Sequence, residues 1–274
     1  MKFIRKFKWL LLTLSCMLLC AYIIVGFTST KLEVNDYTYT STKLPKEFDG
    51  YKIVQLSDLH HKNFGKNQSE LIELIKEQEP DLILLTGDIV DEDHTDMTPI
   101  EDLFKGLEGV APIYCVTGNH ELDPKASRNY GQLLVLMDSY DAVDLDDESA
   151  EIKKGDSSIY LHGQKFRSYY VTDYLPKAET GRFNILLYHC SDYFDLISDY
   201  GYDIIFAGHS HGGIIRLPFI GGVIGNSGDY FPDYAGGVFV ENNCTLFANR
   251  GLGDAEFPRF YNPPEIISIT LKCK

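Results

Sequence analysis

Two β-sheets packed face to face with helices outside them form the α/β architecture that this 274-residue sequence predicts. Three observations lead there. Short apolar runs alternate with segments of helical periodicity through residue 137, which is the pattern of α/β layering. From Asp156 the chain changes to shorter strands and Gly-rich hairpin material, so its C-terminal half is β-rich. Five polar blocks each follow an apolar run, which puts their side chains at strand ends where the two sheets can converge.

The elements follow in order. Residues 1–8 carry Lys2, Arg5, Lys6 and Lys8, and Trp9 to Phe27 then run for 19 positions without a charge, about the length of a membrane-spanning helix. This is a membrane segment or a signal peptide. The run is long for a cleaved signal and no clear small-x-small site follows it, which favours a retained signal-anchor over residues 9–27. Basic residues before the run keep the N-terminus cytoplasmic, so a single-pass cell-membrane protein with an extracytoplasmic domain is expected. Residues 28–50 read as a linker and edge strand, with alternation over Leu32 to Tyr39, and residues 51–274 as the domain proper.

Buried strands are expected at Tyr51 to Leu56, Asp81 to Leu85, Ile113 to Val116, Phe183 to Leu187 and Ile204 to Phe206. Helical spacing covers Lys66 to Gln78, which ends before Pro80, and Met97 to Leu107, with Ile100, Leu103 and Phe104 on one face. Asp138 to Glu151 is acidic and turn-rich and reads as a solvated connection. Further strands are expected at Ser158 to Leu161, Tyr169 to Thr172, Gly237 to Glu241, Thr245 to Ala248 and Ile266 to Leu271. Cys115, Cys190, Cys244 and Cys273 show no CxxC spacing, which argues against a zinc ribbon or a disulfide framework.

The polar blocks are Asp58-Leu59-His60, Gly87-Asp88, Gly118-Asn119-His120-Glu121, the lone His189 and Gly208-His209-Ser210-His211. Five of the eight histidines fall inside them. Each residue alone would often be structural; the ordered set is what carries weight. Two divalent cations sharing one carboxylate need such ligands, and such a pair clamps a phosphoryl group while generating a hydroxide nucleophile. Residues i and i+2 of a strand share a face, which would let Asp58 with His60, and His209 with His211, present paired ligands.

In this order (D-x-H, G-D, G-N-H-E, H, G-H-x-H) the blocks resemble the calcineurin-like metallophosphoesterases over residues 51–250. The N-terminal run, Leu217-Pro218-Phe219 and Asn249-Arg250-Gly251-Leu252-Gly253 look like the membrane-anchored bacterial branch, which includes phosphodiesterases and UDP-2,3-diacylglucosamine pyrophosphatases. The resemblance implies a four-layer αββα sandwich of two mixed sheets flanked by helices. It assigns Asp58, His60 and His211 to one metal and Asn119, His189 and His209 to the other, with Asp88 bridging. His120 matches a non-ligand histidine that contacts phosphoryl oxygens and protonates the leaving group, and Asp91 the carboxylate that orients it in some members. The implied activity is hydrolysis of a phosphoester or pyrophosphate bond by a metal-bridging hydroxide. Mixed Asp, Asn and His ligands accommodate Mn, Fe, Zn or Co.

Other residues keep two readings. Arg250 after a strand is a candidate phosphate contact or a salt bridge. Glu121 is an acceptor behind the ligands or a surface carboxylate, and Cys190 a soft ligand or a packing residue facing away from His189. His61, His94 and His162 read as solvent-exposed or packing. Leu217 to Ile224 with Phe231, and Phe257, Phe260 and Tyr261, would suit hairpin core or a membrane-contacting lip. Without the four N-terminal basic residues, 21 Lys+Arg face 40 Asp+Glu, a formal charge of −19 that repels nucleic acid. The substrate expected is a phosphorylated or lipid-linked small molecule of the envelope; soluble nucleotides or small esters are the alternative, and a non-catalytic scaffold a remote one.

Overall fold

A computed structural model of the chain describes residues 2–28, 31–167, 170–225, 228–253 and 258–274. The first helix, α1 (Lys2–Thr28), contains one stretch, Lys6–Gly26, long and apolar enough to cross a membrane. Its described apolar side chains between Phe7 and Val25 stand exposed, unlike those of a core helix.

The strands that follow build two six-stranded sheets. The first contains β1 (Glu33–Ser41), β2 (Lys52–Leu56), β3 (Leu82–Leu85), β4 (Ile113–Cys115), β5 (Val143–Asp144) and β14 (Glu265–Cys273), in the order β1-β14-β2-β3-β4-β5. The second contains β6 (Ser149–Lys154), β7 (Ser157–Gln164), β8 (Asn184–Cys190), β9 (Ile204–Gly208), β12 (Gly237–Glu241) and β13 (Cys244–Ala248), in the order β12-β13-β9-β8-β7-β6. Both are mixed: β2, β3, β4 and β5 run parallel beside an antiparallel β14, and β7, β8, β9 and β13 run parallel between antiparallel edges. A small hairpin, β10 (Ile215–Leu217) with β11 (Gly221–Ile224), stands apart from them.

Three apolar layers hold this together. Ile53, Leu82, Leu84 and Ile269 of the first sheet pack against Leu161, Ile185, Leu187, Phe206 and Phe247 of the second. The opposite faces of β2 and β3 (Val54, Leu56, Ile83, Leu85) bury against α2 (Ser69–Glu77), α3 (Thr98–Leu107) and α4 (Ser127–Ser139) through Leu71, Ile75, Leu103, Phe104 and Met137. Leu186, Tyr188, Ile205 and Leu246 cover the outer face of the second sheet with α5 (Val171–Tyr174) and α6 (Phe194–Ile197). Central parallel strands are buried on both faces, which is why their sequences read as unbroken apolar runs. The expected sandwich of two mixed sheets between helical layers is the fold.

Three expectations need correction. Tyr169 to Thr172 is not a strand where it is described: Val171 opens α5, and Tyr169 lies outside the described residues. Asp138 to Glu151 is more than a connection, because it supplies edge strands β5 and β6, whose exposed faces explain its polarity. The helix expected from Lys66 begins at Ser69 after a 3-10 turn over Lys66–Gln68. The cysteines outside α1 (Cys115, Cys190, Cys244 and Cys273) are free thiols.

Candidate metal centre

The parallel strands deliver the polar blocks to one edge of the sandwich. Asp58 follows β2, Asp88 follows β3, Asn119 and His120 follow β4, His189 sits near the end of β8, and His209 and His211 follow β9. Ligands gather where the carboxyl ends of parallel strands open. Side chains between the sheets pin the two halves in register: the buried Gln55 amide donates to the Ala207 carbonyl (2.9 Å) and to Thr86 Oγ1 (2.9 Å). Across the gap, the His209 N–H donates to the Asp58 carboxylate at 3.1 Å.

Strand alternation does not aim the ligands. Asp58 (φ 51°), His60 (46°), Asp88 (53°), His209 (71°) and His211 (47°) all adopt the left-handed conformation, so the chain turns sharply at each block instead of continuing as a strand. Asp and His enter this region more readily than most residues, at a cost of about 1–3 kcal/mol each that the surrounding packing must meet. Glycine is required between them. Gly87 has φ 92°, and a Cβ there would strike His189 Nδ1 and the Gly118 backbone.

The sequence-derived ligands come together. Asp58, His60 and His211 offer atoms within 4.8 Å of one another, and so do Asp88, His189 and His209. Asp88 joins the groups: its Oδ2 lies 3.0 Å from His189 Nε2 and 3.9 Å from His60 Nε2. Asn119 Oδ1 is 3.1 Å from His189 Nε2, which adds it to the second group. His60 Nε2 and His211 Nδ1 are buried without a hydrogen-bond partner among the described residues, an arrangement that costs free energy unless something else takes the lone pair. These His and Asp clusters fit a metal site.

Groups behind the ligands set their orientation. His189 Nδ1 lies 2.7 Å from the Thr86 carbonyl, which can only accept, so Nδ1 carries a proton and Nε2 faces the site. Burial lowers the His189 pKa, but the Asp88 carboxylate outweighs it and raises it to about 10. Burial also opposes ionisation of Asp88, yet His189 holds its carboxyl well below the ordinary range. Burial lowers His209 to about 4 and pushes His211 well down, helped by neighbouring histidines, so both are neutral donors.

Glu121 proves to be buried and structural. Its Oε2 accepts the N–H groups of Asp88 (2.8 Å) and Gly118 (2.8 Å), and its Oε1 those of Ile89 (2.7 Å) and Val90 (3.1 Å). One carboxylate thus fastens the Gly87-Asp88 turn to the Gly118-Asn119 turn. Burial pushes its carboxyl up, as does Asp88, while these N–H donors pull it down.

His120 stands at the mouth, its ring 4.7 Å from that of His60 and half-exposed. The structure does not bring Asp91 to it. Glu92 Oε2 lies 2.7 Å from His120 Nδ1, whereas the Asp91 carboxylate meets His94 Nδ1 at 2.9 Å and His60 Nδ1 at 3.5 Å. Burial would raise the Asp91 carboxyl, but hydrogen bonds from His60 and His94 hold it below its usual value. Asp91 thus contacts His60 and His94, and Glu92 stands beside His120 where Asp91 was expected. Nothing in the string Asp91-Glu92 distinguishes the two carboxylates; only the path of the loop does.

Arg250 is held in an ion-pair cluster, with Nη2 3.1 Å from Glu33 and Nε 3.3 Å from Glu265. Its role in the structure is to tie β1 and β14 to the loop after β13. Cys190 packs with Tyr188 and Leu186 in the outer layer, although its sulfur also comes within 4.8 Å of Asp192 and His209 atoms. His61 packs against His94, and His162 bonds Ser149 and Asn184.

Comparison with known proteins points the same way. The family model described as calcineurin-like phosphoesterase matches residues 51–213. An uncharacterized metallophosphoesterase of Bacillus subtilis, YkuE, is 32% identical over 253 residues, covering 88% of this chain and 86% of its own. The UDP-2,3-diacylglucosamine pyrophosphatase LpxG of Chlamydia muridarum is 25% identical over 82% of this chain and 85% of its own. The phosphodiesterase YaeI of Escherichia coli is 27% identical over 81% of this chain and 82% of its own.

Proposed function

The chain belongs to the calcineurin-like phosphoesterase family of metal-dependent phosphoester hydrolases, and on that premise we propose a membrane-anchored enzyme with two divalent cations. Its substrate would be a phosphoester or pyrophosphate of the envelope, lipid-linked in our reading. The observation that carries the proposal is the sharing of Asp88 between the Asp58/His60/His211 group and the Asn119/His189/His209 group. Mn, Fe, Zn and Co all suit such ligands. Bound there, the ions supply charge neutralisation at the phosphoryl oxygens and a nucleophile from water at neutral pH.

The chain's own residues do the rest. The Glu121 clamp and the Thr86 carbonyl keep the ligands in place before substrate arrives, so little reorganisation accompanies reaction. His120, with Nδ1 held by Glu92, turns Nε2 to the site, and as the imidazolium paired with that carboxylate it would hand the Nε2 proton to the departing oxygen. Support for anchoring comes from the exposed apolar stretch Lys6–Gly26 and the basic residues before it, which would keep the domain outside the cytoplasm. Support for a lipid-linked pyrophosphate or diester comes from LpxG and YaeI, whose names carry those activities.

The test is metal analysis of the full chain in detergent, paired with hydrolysis of a chromogenic diester and a lipid-linked pyrophosphate by wild type and Asp88→Asn. Wild type should hold close to two transition metals, and the variant should lose nearly all activity. Turnover by Asp88→Asn at the wild-type rate would remove Asp88 as the shared ligand. A soluble diester turned over as well as the lipid-linked substrate would favour the soluble-ester reading instead.

A further inference from the structure

Directly after His211 the chain enters a hydrogen-bonded ribbon that the chemistry above does not use. β10 pairs with β11, Tyr230 bridges Ile224, and the Phe231 N–H donates to the Val223 carbonyl at 2.9 Å. On its other side Phe260 bridges Ile215. The ribbon is rooted on the ligand loop: the Asn262 side chain donates to the His211 carbonyl (2.6 Å) and Arg216 to the Gly212 carbonyl (2.5 Å). Its turn presents Phe219 (109% exposed) and Ile220 (62%) to solvent, and Tyr230 (77%) and Phe231 (62%) stand exposed beside Ile224 and Val223 at its other end. Phe219 (φ 67°) and Phe231 (φ 54°) hold the left-handed conformation, where glycine would be cheaper, so these turns carry aromatic rings against local preference.

The ribbon is continuous with the end of the apolar helix. Tyr261 donates its N–H to the Gly26 carbonyl (2.9 Å) and its hydroxyl to the Tyr22 carbonyl (2.9 Å). The rings of Phe260 and Tyr261 lie 6.2 and 4.9 Å from that of Tyr22. We propose that the exposed apolar side chains of the ribbon, Phe219 and Ile220 at its turn with Tyr230 and Phe231 along it, form a second membrane contact that lies in the interface of the bilayer crossed by α1. This rests on the anchored reading above. Clustered exposed apolar side chains mark contact surfaces, and aromatic rings settle at the headgroup level of a bilayer. With a formal charge of −15 the chain as a whole is not drawn to anionic lipid, and the exposed side chains at the lip are apolar, so the lip would hold neutral lipid by apolar insertion. Because the ribbon springs from the His209 and His211 loop, insertion would bring the ligand cluster to the level of lipid phosphates.

Tryptophan quenching tests this without using turnover. The chain has one tryptophan, Trp9, inside the apolar helix, and it serves as the reference. Full-length Phe219→Trp and, separately, Ile220→Trp, each with Trp9→Phe, are reconstituted into vesicles of brominated phosphatidylcholine, with Val135→Trp on the exposed face of α4 as control. Blue-shifted emission and loss of intensity are expected at positions 219 and 220 and not at 135. Water-like, unquenched emission at both lip positions while Trp9 is quenched would overturn the lip and leave the anchor standing. Trp9 unquenched would overturn anchor and lip together and leave the metal centre untouched. Emission shielded in native membranes but not in pure lipid would assign the patch to a protein partner and overturn the proposal.

Discussion

Glu121→Gln is the sharpest test of how the centre is held. The four N–H donors around Glu121 match an ionised group that only accepts, two to each oxygen. Glutamine keeps one oxygen and turns the other into an amide that only donates, so two buried N–H groups lose their partner whichever way the side chain is flipped. At about 1–3 kcal/mol per unsatisfied buried group, the loss is about 2–6 kcal/mol. Removing a charge beside Asp88 works the other way, since Asp88 and burial both push the Glu121 carboxyl up. That relief is smaller, because the ionised form already has its donors and Asp88 is matched by His189. At about 2–4 °C per kcal/mol for a domain of this size, the melting temperature should fall by about 5–20 °C. Near-UV circular dichroism of the full chain in detergent, with metal content measured alongside, reads both effects. A shift of less than about 2 °C with full metal content would refute the clamp.

His120→Ala should lower kcat by about 10²–10⁴ on substrates with a poor alkoxide leaving group and much less on a nitrophenyl ester, because only the former needs a proton. Glu92→Gln should reproduce part of that pattern with metal content intact, whereas Asp91→Asn should reduce metal content; the opposite assignment would restore Asp91 as the partner of His120. In the metal-free protein His189 stays protonated below its raised pKa of about 10, so metal binding at pH 7 must expel that proton and affinity should rise with pH up to that value. Isothermal titration in two buffers of different ionisation enthalpy should show net proton release, and heats independent of buffer would contradict it. Leu84→Ala, fully buried between the sheets, should cost about 2–5 kcal/mol in urea unfolding with the slope unchanged.

What could be read in advance, and what could not, follows from the range of the interactions. The runs that became β2, β3, β8 and β9 were legible because burial on both faces demands continuous apolar residues, a purely local signal. The side chains that cluster at the candidate centre were legible because coordination chemistry restricts residue type, and five blocks in order leave little freedom. Their geometry was not. An i, i+2 rule assumes that the strand continues, yet five of the seven candidate ligands sit at positive φ, held by bonds between neighbouring loops and, for Asp58 and His209, across the two sheets. Tyr169 to Thr172 misled for the related reason that a short aromatic, β-branched run suits a strand or a turn of helix, and packing under the second sheet decided for Val171. Glu92 and Glu121 show the limit most clearly: each is one acid among many in an acidic chain. What sets them apart is a histidine ring in one case and four N–H groups in the other, and that ring and three of those four groups come from residues about thirty positions away. A sequence states which groups can bind a cation or a phosphate; the fold decides which neighbouring acid holds them at the working angle, and that second choice is what the Glu92 and Glu121 variants measure.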